Sequence, residues 1–275
     1  MPSFMTLTVA SGLVISPTVG LLAKELGDER ERAQALAAEA DAVLREEMLE
    51  QGFRTIGTRH GIEVLVAERA FRLDLAPGPL TGRPPDSALL EPALGVIASE
   101  LARYPAGFLR AARMRRLLLC QGLRESGLEI PSLPNYQQTL VIDVDAPHDF
   151  LRRLTHHEVF HFADYAGDDQ VERDPGWAKL NDRYFVYGSG GRFLREPGAS
   201  RFRHDLPGFV SKYATSALEE DKAETFAYMM TAPAELERAA LRDSVLGAKV
   251  KAVRAELVRL SPGLDERFWR AQLRR

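Results

Sequence analysis

From Gly27 to Glu50 apolar positions recur at helical spacing in a stretch rich in Ala, Glu, Arg and Leu, which predicts an amphipathic helix. The period then changes. The run GIEVLVAERAFRLDL (61–75) brings β-branched and alternating residues, a strand pattern, and PGPLTGRPPDS (77–87) punctuates it as a loop. A helical period resumes over Ser87–Arg103, and RRLLLC (115–120) and QTLVIDVD (138–145) read as two further strands. Beyond residue 145 the pattern turns mainly helical. Pro147, following Asp145 as a cap, opens a helix expected to run through THHEVFHFADYAG and stop near Gly167. The Gly-, Pro- and aromatic-rich stretch 174–209 has the composition of a functional surface loop. Ser216 with Glu219 offers a capping box for the next helix, and two more helices are expected from Ala232 and Ser261 onward.

These elements fit a soluble α+β chain. With 275 residues and 45% hydrophobic content it can bury a sizeable core. Its 36 basic and 39 acidic residues nearly cancel, so no nucleic-acid groove or polybasic membrane anchor is indicated, and partners must be inferred from a site. The single cysteine, Cys120, excludes an internal disulfide and leaves metal binding to His, Asp and Glu; its apolar setting reads as a small core residue more than a reactive thiol. The apolar segment 4–23 is broken by Gly12, Pro17 and Gly20, too short a run for a spanning helix, and it lacks a basic start and a cleavage site. A structural N-terminal segment and a degenerate targeting segment both remain open, and the missing export features favour the cytoplasm over secretion.

The chemistry concentrates in His157, Glu158, Val159, Phe160 and His161, an H-E-x-x-H motif. On a helix, residues four apart share a face, so both histidines can aim a ring nitrogen at one zinc ion at about 2.0–2.1 Å. Glu158, one residue on and about 100° around, reaches a metal-bound water and is placed as a general base. Phe150 and Leu154 continue the histidines' stripe inward. A catalytic zinc wants a third protein ligand and an open position. KYATSALEEDKAETFAYMM (212–230) offers Glu219, Glu220 and Glu224; the last two flank Ala223 on the apolar side, where a carboxylate needs a metal or a partner, and Glu219 faces solvent. Asp164, three residues after His161, is a candidate acceptor for a histidine's other nitrogen. His156 points about 100° from His157 and reads as exposed or as a substrate contact, not a ligand. His204 reads as a solvated loop histidine, and GSGG (188–191) as a flexible cleft-edge loop, lacking the context of a phosphate loop.

HEVFHFADYAG followed by YATSALEEDKAETFA resembles the catalytic region of zinc metallopeptidases of the anthrax lethal factor type, a gluzincin-like group; YPAGFLRAARMRRLLL and QTLVIDVD resemble bacterial peptidases of the same type more weakly. The resemblance implies Glu220 as the third ligand, Tyr213, seven residues earlier, as donor to a developing oxyanion, and Glu224 as the partner that orients a histidine. It implies a zincin-like fold, with a small mixed sheet, an active-site helix and a mainly helical C-terminal part. A helical segment over 1–58 and a catalytic domain over 59–275 are the expected division. The expected activity is endopeptidase action on a protein or peptide, without nucleic acid and without a stable membrane span. A zinc hydrolase of a non-peptide amide and a non-catalytic, zinc-stabilised interaction protein are the alternatives.

Overall fold

The computed structural model describes residues 32, 35–36, 38–75, 78–168, 174–194, 196 and 198–274. The chain divides into two compact units, 1–50 and 51–275. In the first, residues 38–50 form helix α1, within the helix expected over 27–50; the segment 4–23 lies outside the described residues. No described helix is long and apolar enough to cross a membrane.

The second unit is mixed α/β. Its hub is β5 (Arg116–Glu125), the longest strand of an eight-stranded mixed sheet. The first half of β5 lies between β2 (Ile62–Ala67) and β8 (Thr139–Asp143), parallel to both; its second half pairs antiparallel with β4 (Leu80–Arg83) and β6 (Leu128–Glu129). Parallel strands covered on both faces carry near-continuous apolar runs, which is why LLLC, VLVA and LVI stood out. Alternation then sorts them: Leu117 and Leu119, Leu140 and Ile142, Ile62 and Val64 share one face and join the main core.

Strands β1 (Phe53–Arg59), β3 (Phe71–Leu73) and β7 (Ser132–Tyr136) pair antiparallel with β2, β4 and β8. β1 is joined to β2 by the two-residue turn His60–Gly61, both at positive φ (50° and 78°), as a tight hairpin requires. The division expected between 58 and 59 thus falls inside β1, a strand of the sheet. The loop expected over 77–87 contains β4: Leu80 is fully buried, and the two-stranded ladder with β5 overrides the local Pro and Gly content.

Helix α2 (Ser87–Leu101), the short α3 (Phe108–Ala111), α4 (His148–Asp168) and α6 (Leu218–Thr231) pack into the same core, with α4 against α6, α2 and β7. Between α4 and α6 lie α5 (Pro175–Ala178), a 3-10 turn at Gly191–Phe193 and another at Tyr213–Thr215. The chain ends in α7 (Pro233–Ala240), α8 (Ser244–Leu260) and α9 (Glu266–Gln272). Asp221 to Met230 are all buried, so α6 is a central helix whose charged residues must find partners inside the protein. The expected capping box does not form: Ala217 is the N-cap, and the Ser216 hydroxyl donates instead to the Tyr213 carbonyl at 2.6 Å. Three acidic residues in the first turn, Glu219, Glu220 and Asp221, complement the positive end of the helix.

Candidate metal centre

Helix α4 runs through the motif as its period predicts and buries His157 and Glu158. Helix α6 packs against it and brings in Glu220. Three atoms then converge: His157 Nε2 lies 3.1 Å from His161 Nε2 and 3.0 Å from Glu220 Oε2, and the last two are 3.5 Å apart. A tetrahedral ion with bonds of about 2.0–2.1 Å holds its ligands about 3.3–3.4 Å apart, so the triangle has the edge lengths of a zinc site.

The tautomers reinforce this. His157 Nδ1 donates to Glu224 Oε1 at 3.0 Å, so Nε2 is the nitrogen that faces the carboxylate of Glu220. Glu220 Oε2 is buried and makes no aligned hydrogen bond despite its short distance to His157. Lone pairs turned toward one another are unfavourable unless a cation or a proton stands between them. The local charge agrees, since Glu158, Glu220 and Glu224 face the histidines, and Arg153 pairs with Glu224. In the metal-free chain, burial opposes a charge on His157, but Glu220 and Glu224 outweigh it and hold its pKa up at about 10. His161 is raised in the same way, with Glu220 overriding burial. Burial likewise opposes ionisation of Glu220, yet the two imidazoles hold its carboxyl well below the usual range. The residues fit a divalent ion.

The surrounding side chains fix this geometry. Glu224 is fully buried and accepts from His157, from Ser211 Oγ at 2.6 Å and from Arg153. Burial opposes its ionisation, but Arg153 and His157 keep it ionised. Arg153 in turn reaches Ser200 Oγ at 2.6 Å and lies over the Phe150 and Tyr228 rings. Glu158 accepts from Ser132 Oγ of β7 at 2.7 Å through Oε1, and its buried Oε2 has no partner among the described residues. The Tyr213 hydroxyl donates to Glu220 Oε1 at 3.1 Å; burial and the neighbouring carboxylates push its pKa up, so it remains a donor.

The fold thus brings together His157, Glu158, His161, Tyr213, Glu220 and Glu224. Asp164 goes elsewhere: its carboxylate is held by the buried Lys222 ammonium of α6, not by a histidine, because Lys222 needs counter-charge at that point. His156 is fully buried, not exposed, and is bound by Glu100 and Tyr104. His204 is exposed and pairs with Glu235 at 3.1 Å. Cys120 is a core residue of β5 whose thiol burial pushes up. Arg153, Ser132 and Ser211 had not stood out in the sequence; only Arg153, one turn before His157, carried a signal, its i−4 spacing.

No family model matches the chain, and no curated protein matches it. Among solved structures it is similar to the crystal structure of "a putative zinc-binding metallo-peptidase" from Bacteroides caccae ATCC 43185, at 18% identity and a TM-score of 0.43 over 70% of this chain and 78% of that one.

Proposed function

We propose that this chain is a zinc-dependent endopeptidase of the zincin type, with the gluzincin ligand set His157, His161 and Glu220. The observation that carries the reading is the convergence of three acceptor atoms, 3.0–3.5 Å apart, on one point. Zinc, when bound, acidifies a water and polarises the scissile carbonyl. Glu158, anchored through Oε1 by Ser132, keeps Oε2 free to take the proton of that water and deliver it to the amine nitrogen as the C–N bond breaks. Tyr213 is the donor to the oxyanion, exchanging its contact with Glu220 for the developing charge. Glu224 fixes the His157 tautomer so that Nε2 is the ligating nitrogen.

The test is hydrolysis of a general peptide library by wild type and Glu158→Gln, each with and without a chelator. Wild type should cleave and lose activity with the chelator. Glu158→Gln should retain zinc and fold while cleaving about 10²–10⁴-fold more slowly, because the amide cannot accept the water's proton. Cleavage by Glu158→Gln at the wild-type rate would defeat the mechanism.

A further inference from the structure

The glycine run Gly188–Gly191 lies against the metal centre. It is fastened to the turn that carries Tyr213: Gly188 N donates to Thr215 O at 3.0 Å, Gly190 N to Ser216 O at 2.9 Å, and Ser216 N to Tyr213 O at 3.0 Å. Gly190 has φ 106° and ψ 157°, a conformation essentially restricted to glycine. Gly191 is buried, and a Cβ there would fall well inside van der Waals contact of both Glu220 Oε1 and the Tyr213 hydroxyl, and 2.8 Å from Tyr213 Cζ. The backbone therefore forms a wall on the Oε1 side of the carboxylate. Two glycines of the run are required for different reasons, one for backbone conformation and one for space.

We propose that Gly191, held in place by Gly188 and Gly190, is a positioning residue of the metal centre. Its bare backbone lets the Tyr213 hydroxyl close on Glu220 Oε1, and this hydrogen bond leaves Oε2 as the oxygen that faces the two imidazoles. The inference rests on the metal reading above. It absorbs the GSGG run into the site, where composition alone marked it as a flexible edge.

Zinc affinity, read by competition with a chromophoric chelator, tests it in wild type, Gly191→Ala, Tyr213→Phe and the double variant, with thermal unfolding of each metal-free protein. Gly191→Ala should weaken zinc by about 10–100-fold. Removing the hydroxyl takes away one of the two obstructing oxygens, so alanine should cost less in the Tyr213→Phe background, by about threefold or more. Unchanged affinity in Gly191→Ala, or an effect strictly additive with Tyr213→Phe, would overturn the proposal while leaving the metal site standing. If Gly191→Ala does not fold, Gly190→Ala displaces the same wall through its backbone, with no atom of the described residues within 4 Å of its own Cβ. It should weaken zinc by a smaller factor, and full affinity there overturns the proposal equally. A wild-type chain that takes up no zinc defeats the metal reading itself, and this inference with it.

Discussion

His156 and His157 are adjacent on one helix, both buried and both beside glutamates, yet their surroundings drive them to opposite states. His156 contacts Glu100 at 2.9 Å and the Tyr104 hydroxyl at 2.6 Å, and Arg103 and Arg152 also engage Glu100. The cluster is closed: Arg103 continues to Gln272 at 2.7 Å and to the Met230 carbonyl, tying α2, α4, α6 and α9 together. Burial, helped by the two arginines, lowers the pKa of His156 to about 4 against the pull of Glu100, so it is neutral. His157 faces a surplus of carboxylates and an open triangle of acceptors. The difference separates a structural histidine from a candidate ligand: both are hydrogen-bonded, but among the described residues only the neighbours of His157 are mainly carboxylates.

The contrast predicts that changes on the His157 side act on chemistry and metal, and changes on the His156 side act on stability. After Glu158→Gln, the largest effect is expected for Tyr213→Phe. Losing the proposed oxyanion donor should lower kcat and kcat/KM together by about 10²–10³-fold in protein kept saturated with zinc, with KM and melting temperature nearly unchanged. Steady-state kinetics on any peptide the wild type cleaves checks this, and a loss confined to KM would make Tyr213 a substrate-binding residue instead. Next is Glu224→Gln, which weakens the support of His157 and should reduce zinc affinity by about 10–100-fold in a chelator competition. Wild-type affinity in this variant would remove Glu224 from the account.

The smallest effect is in pH dependence, and its sign distinguishes the two histidines. For His156 the folded pKa, about 4, lies below the unfolded value of 6.5, so the unfolded chain binds the proton first and stability falls as pH drops from 6.5 to about 4. In metal-free protein the folded pKa of His157, about 10, lies above 6.5, so its contribution is fully present below 6.5 and is lost as pH rises toward 10. Each slope approaches about 1.4 kcal/mol per pH unit at most. Denaturant unfolding of chelated protein across this range should show His156→Gln flattening the acid limb and His157→Gln the alkaline limb. Flattening of the same limb by both would mean that the two histidines do not differ in charge state.

What the sequence disclosed follows from where each signal is stored. The buried parallel strands β2, β5 and β8 and the helix α4 carry their pattern locally, as apolar runs and as a helical stripe. Strands β1, β3, β4 and β7 are short or polar, and their existence is decided by partners: β7 is SLPNY, with Pro134 inside it, and pairs only because β8 lies beside it. The same division runs through the site. His157, Glu158, His161, Tyr213, Glu220 and Glu224 sit in two motifs with fixed spacing. Arg153 meets Glu224 from 71 residues away and Ser132 meets Glu158 from 26, contacts that no local spacing encodes. Asp164 had the right spacing for a histidine's partner but is taken up by Lys222, a competitor on another helix.

Everything proposed for this site depends on Glu220 completing a zinc site with the two histidines of α4. Zinc titration of metal-free wild type and Glu220→Ala, with stoichiometry read by elemental analysis, tests it most directly. One zinc per wild-type chain and greatly weakened binding in Glu220→Ala are expected; stoichiometric, tightly held zinc in the Glu220→Ala protein would remove Glu220 from the ligand set.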